Sequence, residues 1–185
     1  MGDAVSPEPD LIERLRQGET QAIAEAYDAH HHAVRAFATR LLGDGAAAED
    51  LVHDVFIQLP KVIGRYRRAS ALRTFLIGVA VNHARHHVRA STRRRSAASK
   101  LASQPPRESI DPEQEAQRVE LAKALERAIT KLPLRQRVAF VLCEIEDRTS
   151  GEAAEIVNVS EGTIRSRLFH AKRKLRASLE REGLR

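Results

Sequence analysis

The sequence predicts an all-α protein: two small helical domains joined by a flexible linker, the C-terminal one carrying a helix-turn-helix. Three observations lead there. Apolar residues recur at spacings of three and four along most of the chain, and no alternating pattern of comparable strength marks a strand. A stretch rich in Ser, Ala, Gln and Pro, including Pro105 and Pro106, breaks that periodicity between residues 96 and 111. Near the C-terminus, a short capped helix is followed at once by a longer basic one. A chain of 185 residues, 42% hydrophobic and 30% charged, is long and apolar enough for one ordinary domain or two modest ones.

The first strong helix is predicted over Ala22 to Leu42, where Ile23, Tyr27, Val34, Phe37, Ala38 and Leu41 form an amphipathic stripe ended by Gly43, Asp44 and Gly45. Residues 1–19 before it read as a tail or short helix. A second helix follows from about Ala46 to Ile63, with Leu51, Val55, Leu59 and Ile63 on one face and Glu49, Asp50, His53 and Asp54 around the other. Pro60 lies inside it and predicts a kink or an early end near residue 59. After an arginine-rich loop, Ser70 is placed to cap a third helix whose buried stripe is Leu72, Phe75, Leu76, Val79 and Ala80. The first domain therefore spans 20–95 and the linker 96–111.

The second domain, 112–185, opens on Asp111, Pro112 and Gln114, which match a cap, a first-turn proline and the glutamine of a capping box. Val119, Ala122, Leu125 and Ile129 line its first helix, which stops at Leu132 and Pro133; the next runs from about Leu134 to Ile145. Thr149 and Glu152 form another capping box, opening a short helix that Asn158 closes. Ser160 then caps the stretch "VSEGTIRSRLFHAKRKLR" (159–176), whose inner seam is Ile164, Leu168, Ala171, Leu175 and Leu179. In a helix-turn-helix the second helix enters the major groove of duplex DNA. Thr163, Arg165, Ser166 and Arg167 are predicted at base edges, and Lys172, Arg173, Lys174 and Arg176 at phosphates. The plain alternative is a solvated helix end whose cations answer the helix dipole; the caps, the seam and the preceding short helix favour DNA.

Charge is segregated along the chain. Residues 1–60 hold 4 Lys/Arg against 11 Asp/Glu, whereas residues 61–100 hold 11 Lys/Arg and no acid. The basic block attracts a polyanion, and the acidic block suits a basic protein surface, so two kinds of partner are expected. Asn82, Arg85, His86, Arg89 and Arg93 converge on one side of the third helix, as nucleic-acid donors would. The single cysteine, Cys143, lies among apolar residues; it reads as core, excludes an intramolecular disulfide, and suits a reduced, cytoplasmic setting. The first thirty residues have no secretory pattern, and no apolar run approaches the roughly 18 residues of a membrane span.

Eight histidines raise the question of a metal. His83 and His87 stand at the i, i+4 spacing of a shared zinc, but both lie near the apolar stripe of their helix and His30 falls on the stripe of its own. Packing is the reading, and neither metal nor cofactor is expected. An enzyme is not expected either: there is no phosphate-cradling glycine loop, no nucleophile elbow, and no acid in residues 61–100 to hold magnesium.

Four ordered blocks, "AEDLVHDVF" (48–56), "LRTFLIGVAVNHAR" (72–85), "LPLRQRVAFVLCEIED" (132–147) and "AAEIVNVSEGTIRSRLFHAKRKLR" (153–176), resemble the extracytoplasmic-function (ECF) sigma factors of bacterial RNA polymerase, in the sigma-70 family. The resemblance extends over about residues 20–180. It implies that 20–95 is sigma region 2, binding the clamp of core polymerase and the minus-ten element, and that 112–185 is region 4, binding the flap and the minus-thirty-five element. Together they would promote strand opening for initiation. By position it implies that Asp50, His53 and Asp54 grip the clamp. Arg67, Arg68, Ser70, Arg73, Asn82, Arg85, His86 and Arg89 would lie along melted minus-ten DNA, where the family flips a base out of the stack. Ser160, Thr163, Arg165, Ser166, Arg167, Lys172 and Arg173 would meet the minus-thirty-five duplex. An inhibitory anti-sigma partner is also implied. The chain departs from the family at His53 and Pro60, where glutamine and tryptophan are frequent, and at Phe75, His86 and Arg148. A stand-alone helix-turn-helix regulator, binding duplex DNA without polymerase, is the alternative; it leaves the first domain unexplained.

Overall fold

The computed structural model describes the backbone of residues 9–68, 70–97 and 112–183, with side chains over 10–68, 70–84 and 120–183. Among the described residues every regular element is helical: α1 (Pro9–Gln17), α2 (Thr20–Leu42), α3 (Gly45–Val62), a 3₁₀ turn at Ile63–Arg65, α4 (Leu72–Ala97), α5 (Pro112–Lys131), α6 (Leu134–Phe140) running into a π-helical turn at Val141–Ile145, α7 (Ser150–Val157) and α8 (Glu161–Arg181). They fall into two compact units, the first built chiefly from α1–α4 and the second chiefly from α5–α8. The helix expected to end before a linker at residue 96 continues to Ala97, and the expected cap Asp111 lies outside the described residues.

In the first unit α2 and α3 pack along each other because the turn between them is two residues long. Gly43 makes that turn possible. It sits at φ 62° and its N–H reaches back to the Thr39 carbonyl, a left-handed helix end that glycine adopts without a Cβ clash. Asp44 then starts α3, its carboxylate accepting from the N–H groups of Ala46 (3.0 Å) and Ala47 (3.1 Å). Leu51, Val55, Leu59 and Ile63 are buried, as their spacing predicts, and so are Phe37, Ala38 and Leu41 of α2, the helix that packs on α3. The N-terminal half of the α2 stripe is rotated from expectation: Ala22 and Ala26 are buried, and Ile23 and Tyr27 only half so.

Pro60 does not end its helix. α3 runs on to Val62, and the N–H of Ile63 bonds the Leu59 carbonyl beyond the proline. The ring removes the donor that would bond the Phe56 carbonyl, and the chain tightens into the 3₁₀ turn just beyond. α4 begins one residue later than predicted. The carbonyl of Ala71, not of Ser70, accepts the first helical bonds, from Thr74 (2.9 Å) and Phe75 (3.3 Å).

α1 is held in two ways. Ile12 and Leu15 are fully buried, and α1 packs on α2, α3 and the 3₁₀ turn. Arg14 pairs in bidentate fashion with Glu25 (2.9 and 3.0 Å) and through Nε with Glu19 (2.9 Å). The Arg14 hydrogen bonds hold the Glu25 carboxyl below the ordinary carboxylate range. A carboxyl depressed in the folded state contributes stability that is complete above its unfolded pKa and lost as pH falls through the folded one. Melting temperature is therefore expected to fall as pH drops through the carboxylate range, and Arg14→Gln to flatten that fall; an unchanged slope in a pH series of thermal melts would refute the assignment.

In the second unit α8 packs on α5 and α6. Its core joins Ala128, Ile129, Leu132, Ala171 and Leu175, with Leu125, Phe140 and Ile145 against it. Ala122, expected on the inner stripe of α5, is exposed; Ala124 and Ala128 take that place. Arg137 is 4% exposed and donates from Nη2 to the carbonyls of Thr130 and Leu132, so it closes the C-terminus of α5. The π-helical turn widens the end of α6, with the Glu146 N–H on the Val141 carbonyl (3.0 Å) and the Arg148 N–H on that of Leu142 (3.0 Å). Asp147, at φ 51°, reverses the chain toward α7.

Candidate nucleic-acid interface

The α7–turn–α8 geometry follows from local hydrogen bonding. The Thr149 backbone N–H donates to Glu152 (2.8 Å) and the Glu152 N–H to the Thr149 hydroxyl (3.2 Å), the reciprocal pair that the sequence predicts. The Thr149 N–H foremost, and then the Thr149 hydroxyl, which donates to the same carboxylate at 2.9 Å, hold the Glu152 carboxyl below its usual range. α7 ends with Asn158 at φ 52°, its N–H on the Glu155 carbonyl (3.3 Å) and the Val159 N–H on that of Ala154 (3.0 Å). Ser160 caps α8 by accepting from the Thr163 N–H at 3.3 Å. Ile164, Ala171 and Leu175 are buried, while Leu168 and Leu179 lie half-buried on the same seam.

On the outer face of α8 the expected contact residues divide by what holds them. Arg165 is 68% exposed at its side chain and ion-paired with Glu161 at the i, i+4 spacing. Ser160 and Ser166 are exposed. Thr163 is only half-exposed, with its hydroxyl 2.8 Å from that of Ser160, so it completes the cap instead of projecting outward. Arg167 is half-buried. Lys172 is exposed and pairs with Glu144 (2.8 Å), and Arg173, Lys174 and Arg176 are exposed beyond it. The sequence reading misses Phe169, which is 62% exposed on the face shared by Arg165, Ser166 and Arg173. Its one signal is negative: a large apolar residue off the seam of Ile164, Leu168 and Ala171.

The first unit presents two separate exposed sets. On α3, Asp50 and His53 are exposed and Asp54 is half-buried, and one turn further along the same face Ile57 is 66% exposed. Sequence reading passes over Ile57 too. Between the 3₁₀ turn and α4, Arg67, Arg68 and Ser70 are exposed, with Arg68 at φ 57°, and Arg73 and Asn82 are exposed on α4. Arg85, His86 and Arg89 belong to α4, but their side chains lie outside the described residues.

Histidine packing accounts for the α2 cluster. The His31 ring stacks on Tyr27 (4.6 Å between centroids, planes within 2°), and its Nδ1 donates to the Tyr27 carbonyl (2.9 Å). His30 is half-buried; burial first, and the charge of Arg73 second, lower its pKa and favour the neutral ring. Among the described residues no group of three or more His, Cys, Asp or Glu is arranged to hold a metal. Cys143 is half-buried in the π-helical turn, where burial pushes its thiol pKa up and away from reactivity. Among the described residues no helix is long and apolar enough to cross a membrane.

A capped helix-turn-helix with a cationic outer face, accompanied by a separate helical unit with its own exposed arginines, defines a two-module DNA-binding protein. Residues 26–94 match the family described as Sigma-70 region 2, and residues 122–175 match Sigma-70, region 4. The chain belongs to the sigma-70 family of RNA polymerase sigma factors, of the ECF type. It is 26% identical to the RNA polymerase sigma-H factor of Pseudomonas aeruginosa, over 92% of each chain, and 29% identical to the ECF RNA polymerase sigma-E factor of Escherichia coli K12, over 88% of each. Two solved structures share the fold. One is the sigma factor RpoE of Bartonella quintana in complex with the anti-sigma factor NepR, at a TM-score of 0.61 and 24% identity, covering 85% of this chain and 96% of that one. The other is CnrH in complex with the cytosolic domain of CnrY, at 0.62 and 21%, covering 92% and 96%.

Proposed function

We propose that the two modules divide the work of initiation. The first, over residues 20–95, binds core polymerase through Asp50, His53 and Asp54 on α3, with Ile57 as an apolar contact beside them. Its loop and α4, through Arg67, Arg68, Ser70, Arg73, Asn82, Arg85, His86 and Arg89, hold the melted minus-ten strand. The second, over 112–185, reads the minus-thirty-five duplex with α8. There Arg165, Ser166 and Arg167 meet base edges, Phe169 suits a thymine methyl, and Lys172 and Arg173 meet phosphates. Ser160 and Thr163 serve chiefly to fix the helix start. Residues 96–111 link the modules and raise the effective concentration of the second at its site.

What carries this reading is the order of the two matched regions together with the charge along the chain, acidic through residue 60 and basic without a single acid over 61–100. A polymerase surface and a DNA strand are thereby given different parts of one module. The reading gives the chain no bond-making chemistry of its own, no cofactor, and a place in the cytoplasm beside the polymerase, without membrane insertion. By likeness to the Bartonella quintana complex, an anti-sigma protein is the proposed inhibitor.

Fluorescence anisotropy on labelled duplex promoters tests the division. The free chain is expected to bind weakly and to lose affinity steeply with salt. With core polymerase, discrimination against scrambled DNA is expected to reach on the order of a thousandfold. Tight, sequence-selective binding by the free chain would instead establish the stand-alone regulator.

A further inference from the structure

The segment from Tyr66 to Ser70 carries two exposed arginines, yet one residue fastens both of its ends. The Tyr66 N–H donates to the Ile63 carbonyl at 2.9 Å, closing the 3₁₀ turn before the loop. The Tyr66 hydroxyl donates to the Ser70 carbonyl at 2.7 Å, closing the loop from the other side. The ring that carries this hydroxyl is 5% exposed and lies 5.3 Å from the Phe75 ring of α4, so its position is fixed by packing. Between the two anchors stands Arg68 at φ 57°, a left-handed conformation that a residue with a Cβ adopts only when its surroundings impose it.

We propose that Tyr66 is a positioning residue for promoter opening: its hydroxyl, bonded to the Ser70 carbonyl, clasps the loop so that Arg67 and Arg68 are held outward in front of α4 for the unpaired DNA strand. The proposal rests on the division of labour given above. Burial pushes the phenol pKa up, which favours the protonated, donating hydroxyl that the clasp requires. A cationic loop fixed before binding loses less conformational freedom on capturing a single strand than one that must be ordered then. Phenylalanine would keep the ring, its burial and its contact with Phe75, and delete only the clasp.

Tyr66→Phe is the test, made in the full chain assembled with core polymerase on a promoter that the wild-type protein opens. Permanganate reactivity of unpaired thymines, followed in time, separates the rate of opening from the affinity of the closed complex. The expected result is an opening rate lowered about fivefold, the effect of one net intramolecular hydrogen bond, with core affinity unchanged. A wild-type opening rate in Tyr66→Phe would overturn the clasp and leave the sigma reading standing. An equal loss of core affinity would also overturn it, because it would make Tyr66 merely structural. Failure of the wild-type chain to open any promoter with core would overturn the reading beneath the inference and the inference with it.

Discussion

Asp54→Arg is expected to weaken binding to core polymerase by at least about a hundredfold while DNA binding by the second unit is preserved. Asp54 stands half-buried on α3, one turn from Asp50 and beside Ile57, whose exposed side chain gives the face an apolar centre. An acidic rim around an apolar contact fits a basic protein surface, and a cation placed there meets like charge. Such juxtaposition costs several kcal/mol, which is a hundredfold or more in affinity. Asp54 also interacts within its own chain, so thermal melting should accompany the binding titration. Asp54→Asn separates the two contributions: it removes attraction without adding repulsion and should fall between wild type and the reversal. Equal core affinity for all three would remove α3 from the interface.

Arg165→Ala carries the second large effect, on promoter choice. The Arg165 guanidinium projects from the first turns of α8, and Glu161 holds it from the side without covering it. A bidentate arginine–guanine contact is worth about 1–3 kcal/mol of discrimination, so selection against the wrong base at one position should relax by roughly tenfold to a hundredfold. Core affinity should be untouched. Arg173→Ala makes the contrast, since a phosphate contact weakens all sequences alike and lowers the salt slope by about one. Selection from a randomised minus-thirty-five library distinguishes these outcomes, and a uniform loss for Arg165→Ala would reassign it to the backbone.

Features set by local hydrogen-bond chemistry were legible in the sequence. The Thr149–Glu152 box, the Ser160 cap and the left-handed Asn158 need only a few consecutive residues, and together they delimit the helix-turn-helix. The seam of α8 and the buried face of α3 follow from spacing alone because each helix packs on one side. Pro60 is expected to kink its helix or end it near residue 59; the early end is not seen, and α3 runs on to Val62 with Leu59 and Ile63 buried on either side of the proline. On α5 the expected Leu125 and Ile129 do face the core, and only Ala122 is misplaced, because a small alanine marks a face weakly and Ala124 and Ala128 fill the inner side. Ile57 and Phe169 were passed over for a different reason: periodicity finds apolar residues that share a face, and an isolated exposed one has no companions to reveal it. Thr163 was expected outward, but its hydroxyl is drawn into the Ser160 cap.

The most direct measurement of the central claim combines this chain with sigma-free core polymerase and a promoter pool and sequences the 5′ ends of the transcripts. The account predicts starts that appear only when both components are present and that share two upstream elements at a fixed spacing, one for each module. Absence of initiation, alongside tight and selective binding of the free chain to duplex DNA, would contradict it.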